Sequence, residues 1–195
     1  VPTRVGARTD LPLVNGGLTQ ARLLGQYLRE QALVPSVAYT SRLRRAIETA
    51  DGALHDQAVM PQVRRDAFLD EIDYGPDENQ TEESVVARIG QEAIEAWNLD
   101  AVVPPGWQVD PDRIVASWLT FGARCLAEHQ DETILVVTSN GTARFAPHLT
   151  GDFASFSREH DIKLSTGALA ILTHDDTAGW RVVDWNIKPR DEVRG

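Results

Sequence analysis

The stretch SRLRRA places three arginines, Arg42, Arg44 and Arg45, directly behind Ser41. A guanidinium is a permanently charged planar fork that matches phosphate oxygens. A second stretch, VVTSNGTA, ends an apolar run on Thr138, Ser139, Asn140 and Gly141. Small hydrogen-bonding residues at the start of a helix-like segment also suit an anion. Together the two stretches imply a phosphate-sized anion site. A third stretch, FLDEIDYGPDE, crowds Asp70, Glu71, Asp73, Asp77 and Glu78 into one loop, with Leu69 and Ile72 able to carry Glu71 inward. A carboxyl drawn out of water keeps its proton to higher pH and can donate it. Each stretch alone has a plainer reading: solvated arginines at a helix start, a simple helix cap, an exposed acidic turn.

For the first two stretches to meet, they must leave parallel strands at the same end of a sheet, where ligands bind in open α/β folds. The patterning predicts such a sheet. Leu18, Ala21, Leu24, Leu28 and Ala32 line one side of a helix over residues 17–32. SVAYT is a short strand, and residues 41–54 form a helix with Ser41 as its cap. Asn79 and Glu82 make a capping pattern for a helix reaching Trp97. VVPPGWQV is a loop. Asp110 and Pro111 open a helix to His129, with Ile114, Trp118, Phe121, Cys125 and Leu126 inward. The apolar run from Ile134 to Val137 predicts a strand buried on both faces, followed by a short helix. ALAILTH and WRVVDWN flank DDTAG as a hairpin. Strands alternating with helices imply an α/β sheet covered on both faces and closed by an antiparallel hairpin.

Composition excludes other classes. A chain of 195 residues predicts one domain with an adequate core. A net charge of −10 argues against general nucleic-acid binding and makes any anion site a local basic pocket. No apolar run is long enough to cross a bilayer. The single cysteine, Cys125, has no internal partner, which suits a reducing, cytoplasmic setting. None of the five histidines, His55, His129, His148, His160 and His174, has metal-ligand spacing. No nucleotide-binding glycine loop or nucleophile elbow occurs. Neither a metal nor a cofactor is expected.

At this point the sequence resembles the histidine phosphatase superfamily, the phosphoglycerate-mutase-like proteins. GARTDLPLVNGGLTQARLLGQYL is similar to the segment that follows the family's catalytic motif. SRLRRAIETA resembles its second signature, which places Arg45 at the arginine that grips the phosphoryl group. LDEIDYG resembles the acidic segment, which places the proton donor at Glu71. ILVVTSNGTARF resembles the strand, loop and helix of the second catalytic histidine, and GALAILTHDDTAGWRVVDWN the closing hairpin. The resemblance covers nearly the whole chain. It implies a three-layer α/β/α sandwich with a mostly parallel sheet and an antiparallel edge. It also implies one domain over residues 1–195, with a small loop insertion near 100–110. The activity implied is metal-independent hydrolysis of a small phosphorylated substrate through a phosphohistidine. Catalytic roles fall to Glu71 and Ser139, and phosphate contacts to Arg45, Asn140 and the N–H of Gly141. The family often forms homodimers.

Two departures qualify these expectations. The signature Arg-His-Gly is absent, and family-like register begins around Arg4. The phosphorylated histidine and the first strand are therefore expected upstream of Val1. Ser139 stands where the family has its second histidine, and a hydroxyl donates one hydrogen bond but supplies no charge. Losing one transition-state donor costs about 10²–10³ in rate. The competing expectation is a catalytically weak or inactive phospholigand-binding member of the same fold.

Overall fold

The computed structural model describes residues 1–190; the last five residues of the expected domain, 191–195, lie outside the described residues. In chain order the main elements are α1 (Asn15–Glu30), β1 (Val37–Thr40), α2 (Arg44–Leu54), β2 (Gln62–Arg65), α3 (Glu82–Ile89) and α4 (Gln91–Asp100). There follow α5 (Pro111–Glu128), β3 (Ile134–Val137), α6 (Asn140–Ala143), α7 (Phe153–Glu159), β4 (Leu169–Asp175) and β5 (Gly179–Ile187).

β1, β2 and β3 form a parallel sheet in the order β2-β1-β3. Side chains alternate across it with the two-residue period of a strand. Val37, Tyr39, Ile134 and Val136 join a core with Trp118, Phe121 and Cys125 of α5. Leu135 and Val137 pack oppositely, against Ala46 and Ala50 of α2. Helices thus cover both faces: α5 on one, α2 with its neighbour α1 on the other. The start of α5 follows its sequence signal, with Pro111 in the first turn and the Asp110 side chain accepting from Arg113 N at 3.1 Å. β4 and β5 make the expected hairpin, whose turn is held by Asp175 Oδ1 accepting from Thr177 N and Ala178 N. Among the described residues no strand pairing joins this hairpin to the three-stranded sheet.

Several local expectations change. Both faces of β3 are covered, yet Ile134, Leu135 and Val136 are only partly buried. Among the described residues β3 ends its sheet, and its outer flank has no strand paired to it. Ser41 does not cap α2: the cap position is Leu43, and Ser41 Oγ accepts only from Leu43 N at 3.3 Å. Asn79 adopts φ +57°, which a helix cap cannot use, so Thr81 caps α3 by accepting from Ser84 N. The helix expected to run on to Trp97 breaks at Gly90, whose φ of +85° redirects the chain into α4. α6 is a single turn of four residues, too short for a useful dipole. β2 carries no hydrophobic signal, because all four residues are exposed on a sheet edge.

Candidate anion site

The acidic loop is not a solvated turn. Asp70 accepts from Arg42 N and Arg42 Nε, both at 2.8 Å. Asp73 holds Arg8 Nε at 3.0 Å. Asp77 is buried and takes hydrogen bonds from Arg88 Nε and Trp107 Nε1. Burial alone would raise its pKa, but those donors outweigh it and hold the carboxyl below its usual value. Glu78 gathers Gly6 N, Tyr74 N and the Thr9 hydroxyl. Glu71 alone has neither a hydrogen-bonded cation nor water around it. It is 7% exposed.

Its partners are neutral donors. Oε1 accepts from Ile72 N at 2.8 Å, and Oε2 from the Tyr74 hydroxyl and Gly141 N, each at 3.3 Å. Burial lifts the Glu71 pKa above the ordinary carboxylate range. The N–H groups of Ile72 and Gly141 and the charges of Arg45 and Arg144 pull the other way without cancelling it. Burial also raises the Tyr74 pKa, so its phenol keeps the proton that it donates to Glu71.

The polar residues that end β3 now have a physical account. Thr138 Oγ1 donates to Leu69 O at 2.6 Å, and Thr142 Oγ1 to Asp70 O at 2.7 Å. These bonds fasten the turn to the acidic segment. A Cβ on Gly141 would lie 2.3 Å from Glu71 Oε1 and 2.6 Å from Ile72 Cγ1, so only glycine admits this carboxyl. The N–H of Gly141, expected to face a phosphoryl oxygen, is directed at the acid instead.

The two strand ends leave the sheet side by side. Thr40 pairs with Val137, and Ser41 N donates to Val137 O at 3.1 Å. Of the three arginines, Arg42 is bound to Asp70, and Arg44 reaches Glu48 at 3.5 Å. The N–H groups ahead of α2 are likewise taken, by Asp70 at Arg42 and by Asp10 at Arg44. Arg45 turns instead toward the N-terminal segment. It is half-buried and donates to the carbonyls of Thr9 and Val5 at 3.0 and 2.8 Å. Its acceptors are neutral, so its charge remains available to an anion, and Glu71 feels it. Ser139 Oγ makes no hydrogen bond among the described residues, whereas Asn140 Oδ1 accepts from Arg144 Nη2 at 2.9 Å.

Arg144 was not foreseen. An arginine after a small polar run reads as a surface residue, yet this one is 1% exposed. Its guanidinium lies 4.2 Å from the Trp97 ring centroid and donates to Trp97 O at 2.7 Å. The loop around 100–110 is also less peripheral than expected. Gln108 N donates to Asp73 O at 2.9 Å, and Trp107 stacks edge-on against Tyr74 and Trp97. A cavity of about 330 Å³ between Phe68, Ser117, Thr120 and Phe121 includes none of Arg45, Glu71 or Ser139, so chemistry rather than concavity locates the site. Among the described residues no group of histidine, cysteine, aspartate and glutamate could hold a metal ion. No helix among them is long and apolar enough to cross a membrane.

A family model described as histidine phosphatase superfamily (branch 1) matches residues 1–188. The chain is 34% identical over 105 residues to a 2,3-bisphosphoglycerate-dependent phosphoglycerate mutase of Bifidobacterium longum (strain DJO10A). That match covers 53% of this chain and 42% of the mutase, so the chain spans less than half the length of the curated relatives it matches. Among solved structures, a mycobacterial glucosyl-3-phosphoglycerate phosphatase superposes with a TM-score of 0.79 at 22% identity, covering 95% of this chain and 92% of that one. Its complex with inorganic phosphate gives 0.78 at 21% identity, with 95% and 92% covered. The alpha-ribazole phosphatase from Shigella flexneri gives 0.69 at 20% identity, with 95% and 89% covered. At these identities the likeness is one of fold.

Proposed function

The chain belongs to the histidine phosphatase superfamily, branch 1, and from that premise we propose that it acts as a metal-independent phosphomonoesterase through a phosphohistidine supplied by a segment upstream of Val1. One observation carries the reading: a buried Glu71, its pKa raised by burial, rests against Gly141 N at the end of β3, beside the strand end that leads to Arg45. In the first step the histidine nitrogen attacks phosphorus, the P–N bond forms and the P–O bond to the leaving group breaks. The Glu71 proton goes to the leaving oxygen. In the second step ionised Glu71 takes a proton from water as the water oxygen attacks phosphorus, the P–N bond breaks and inorganic phosphate leaves. Arg45 offsets the charge on the phosphoryl oxygens throughout. The Ser139 hydroxyl and the Asn140 NH₂ group contact the transferring group.

The sheet supports an upstream strand. β3 has one strand partner, and β4 and β5 pair only with each other among the described residues. Unpaired strand flanks bearing apolar, partly buried side chains are unfavourable, and an extended segment pairing with β3 would relieve its open flank. The names of the relatives support a small phosphorylated substrate. A homodimer in a cytoplasmic setting completes the proposal.

The test is turnover of p-nitrophenyl phosphate in EDTA by the protein translated from its own start codon, with rapid quenching in alkaline SDS to trap a phosphoenzyme. The expected result is turnover, an acid-labile phosphoenzyme, and losses on the order of 10²–10³-fold in kcat for Arg45→Ala and Glu71→Gln. Absence of both turnover and phosphoenzyme, with or without divalent metal, contradicts the proposal. A second reading, a phospholigand-binding protein with little or no turnover, is favoured by Ser139. Its free hydroxyl cannot supply the charge of an imidazole. That reading predicts Arg45-dependent phosphate binding without hydrolysis.

A further inference from the structure

Arg144 is the most deeply buried cation near the site, and none of its hydrogen-bond acceptors carries a charge. Nη1 donates to Trp97 O, Nη2 to Asn140 Oδ1 at 2.9 Å, and Nε to Asn140 O at 3.4 Å. A guanidinium held away from water without a bonded carboxylate is costly. Packing alone does not call for it, since a methionine would cover the Trp97 face.

Two features of its surroundings give the charge a use. With Asn140 Oδ1 committed to Arg144, the amide orientation is fixed, and its NH₂ group has no hydrogen bond among the described residues. The second is Glu71, which feels the charges of both Arg45 and Arg144. A phosphoryl dianion arriving at Arg45 offsets that arginine. Arg144 is bonded to Trp97 O and to Asn140 instead.

We propose that Arg144 is a positioning residue: its charge lets the buried Glu71 cycle between acid and base, and its fork holds the Asn140 amide with the NH₂ end free for a phosphoryl oxygen. The use made of Glu71 rests on the phosphatase reading, while the link between the two groups runs through adjacent residues of one turn, Arg144 bonding Asn140 and Gly141 N bonding Glu71. Burial lowers the pKa of Arg144 itself to about 10, so it remains charged at neutral pH.

The experiment is a pH titration of the Glu71 carboxyl carbon by NMR in the whole protein and in its Arg144→Met and Arg144→Lys variants, beside pH–rate profiles. Arg144→Met should move the Glu71 midpoint upward, and Arg144→Lys should restore much of the shift. The limb of the rate profile governed by Glu71 should move with it, and kcat at neutral pH should fall on the order of 10²-fold in Arg144→Met. A folded Arg144→Met protein with an unmoved Glu71 midpoint overturns the proposal. Should that variant fail to fold, the unmodified protein decides. Its Arg144 Nε resonance should titrate with the Glu71 midpoint, and an Nε resonance constant across that transition overturns the proposal. Coupled titration without turnover supports the link between the two residues and removes the phosphatase reading instead.

Discussion

Glu71 differs from its acidic neighbours in what surrounds its oxygens, and that difference has a consequence for stability. Its pKa in the fold lies above the ordinary 4.5 because burial disfavours the charge. As pH rises from that value, the folded state holds more protons than the unfolded one, so stability falls until Glu71 ionises within the fold. Asp77 acts in the opposite sense. Its folded pKa lies below 3.8, so its contribution is present above that value and lost as pH falls through the folded pKa. Urea midpoints measured across pH should therefore decline on the alkaline side of about 4.5 in the natural protein. Glu71→Gln should flatten that side while leaving the acid-side loss intact. An unchanged alkaline slope in the variant contradicts a buried, proton-retaining Glu71. The sequence carried this residue through its setting, since Leu69 and Ile72 are apolar on either side and are 0% and 6% exposed in the fold. Arg144 had no such mark. Its burial follows from Trp97, 47 residues away, and from a single-turn α6 too short to register as a pattern.

Elements with a strong periodic signal or a cap appear where the residues place them. α1, α5, β1, β3 and the β4–β5 hairpin are examples, and Asp110 with Pro111 fixes the start of α5. The failures lie where local conformation competes. Asn79 and Gly90 adopt positive φ, and that choice is made by the Arg4–Asn79 backbone bond and the end of α3 rather than by periodicity. β2 shows only Val63 as an apolar residue, so its strand character comes from pairing with β1. β3 reads as fully interior because it is wholly apolar, and apolarity alone cannot separate a central strand from an edge strand. This distinction is measurable by hydrogen exchange. In the 195-residue chain, β1 has partners on both sides, and its amides should exchange only through global unfolding. The β3 amides directed away from β1 should exchange through local opening, and addition of the proposed upstream segment should protect them. Uniform protection of β3 in the 195-residue chain contradicts its position at the sheet edge.

At the scale of the whole molecule, the site is made by three distant parts of the chain and closed by a fourth. Strand pairing sets Ser41 beside Val137, threonine hydroxyls fasten the β3 turn to Leu69 and Asp70, and Glu78 and Arg45 clamp the N-terminal segment at Gly6 and Thr9. That the arginine and serine loops leave neighbouring strand ends was legible, because two strand-to-helix turns in a parallel sheet open at one end. The clamp was not, because it depends on side chains meeting backbone across more than 30 residues. In a chain of net charge −10, such a site can hold a dianion only if Arg45 is aimed into it. The most direct test is an NMR titration of the whole protein with inorganic phosphate, following the Arg45 guanidinium and the amides of Ser139, Asn140 and Gly141. Saturable shifts at all four positions, abolished in Arg45→Ala, are the predicted result. Shifts that spare Arg45 or the Ser139–Gly141 turn, or that survive Arg45→Ala, would contradict a single anion site shared by these loops.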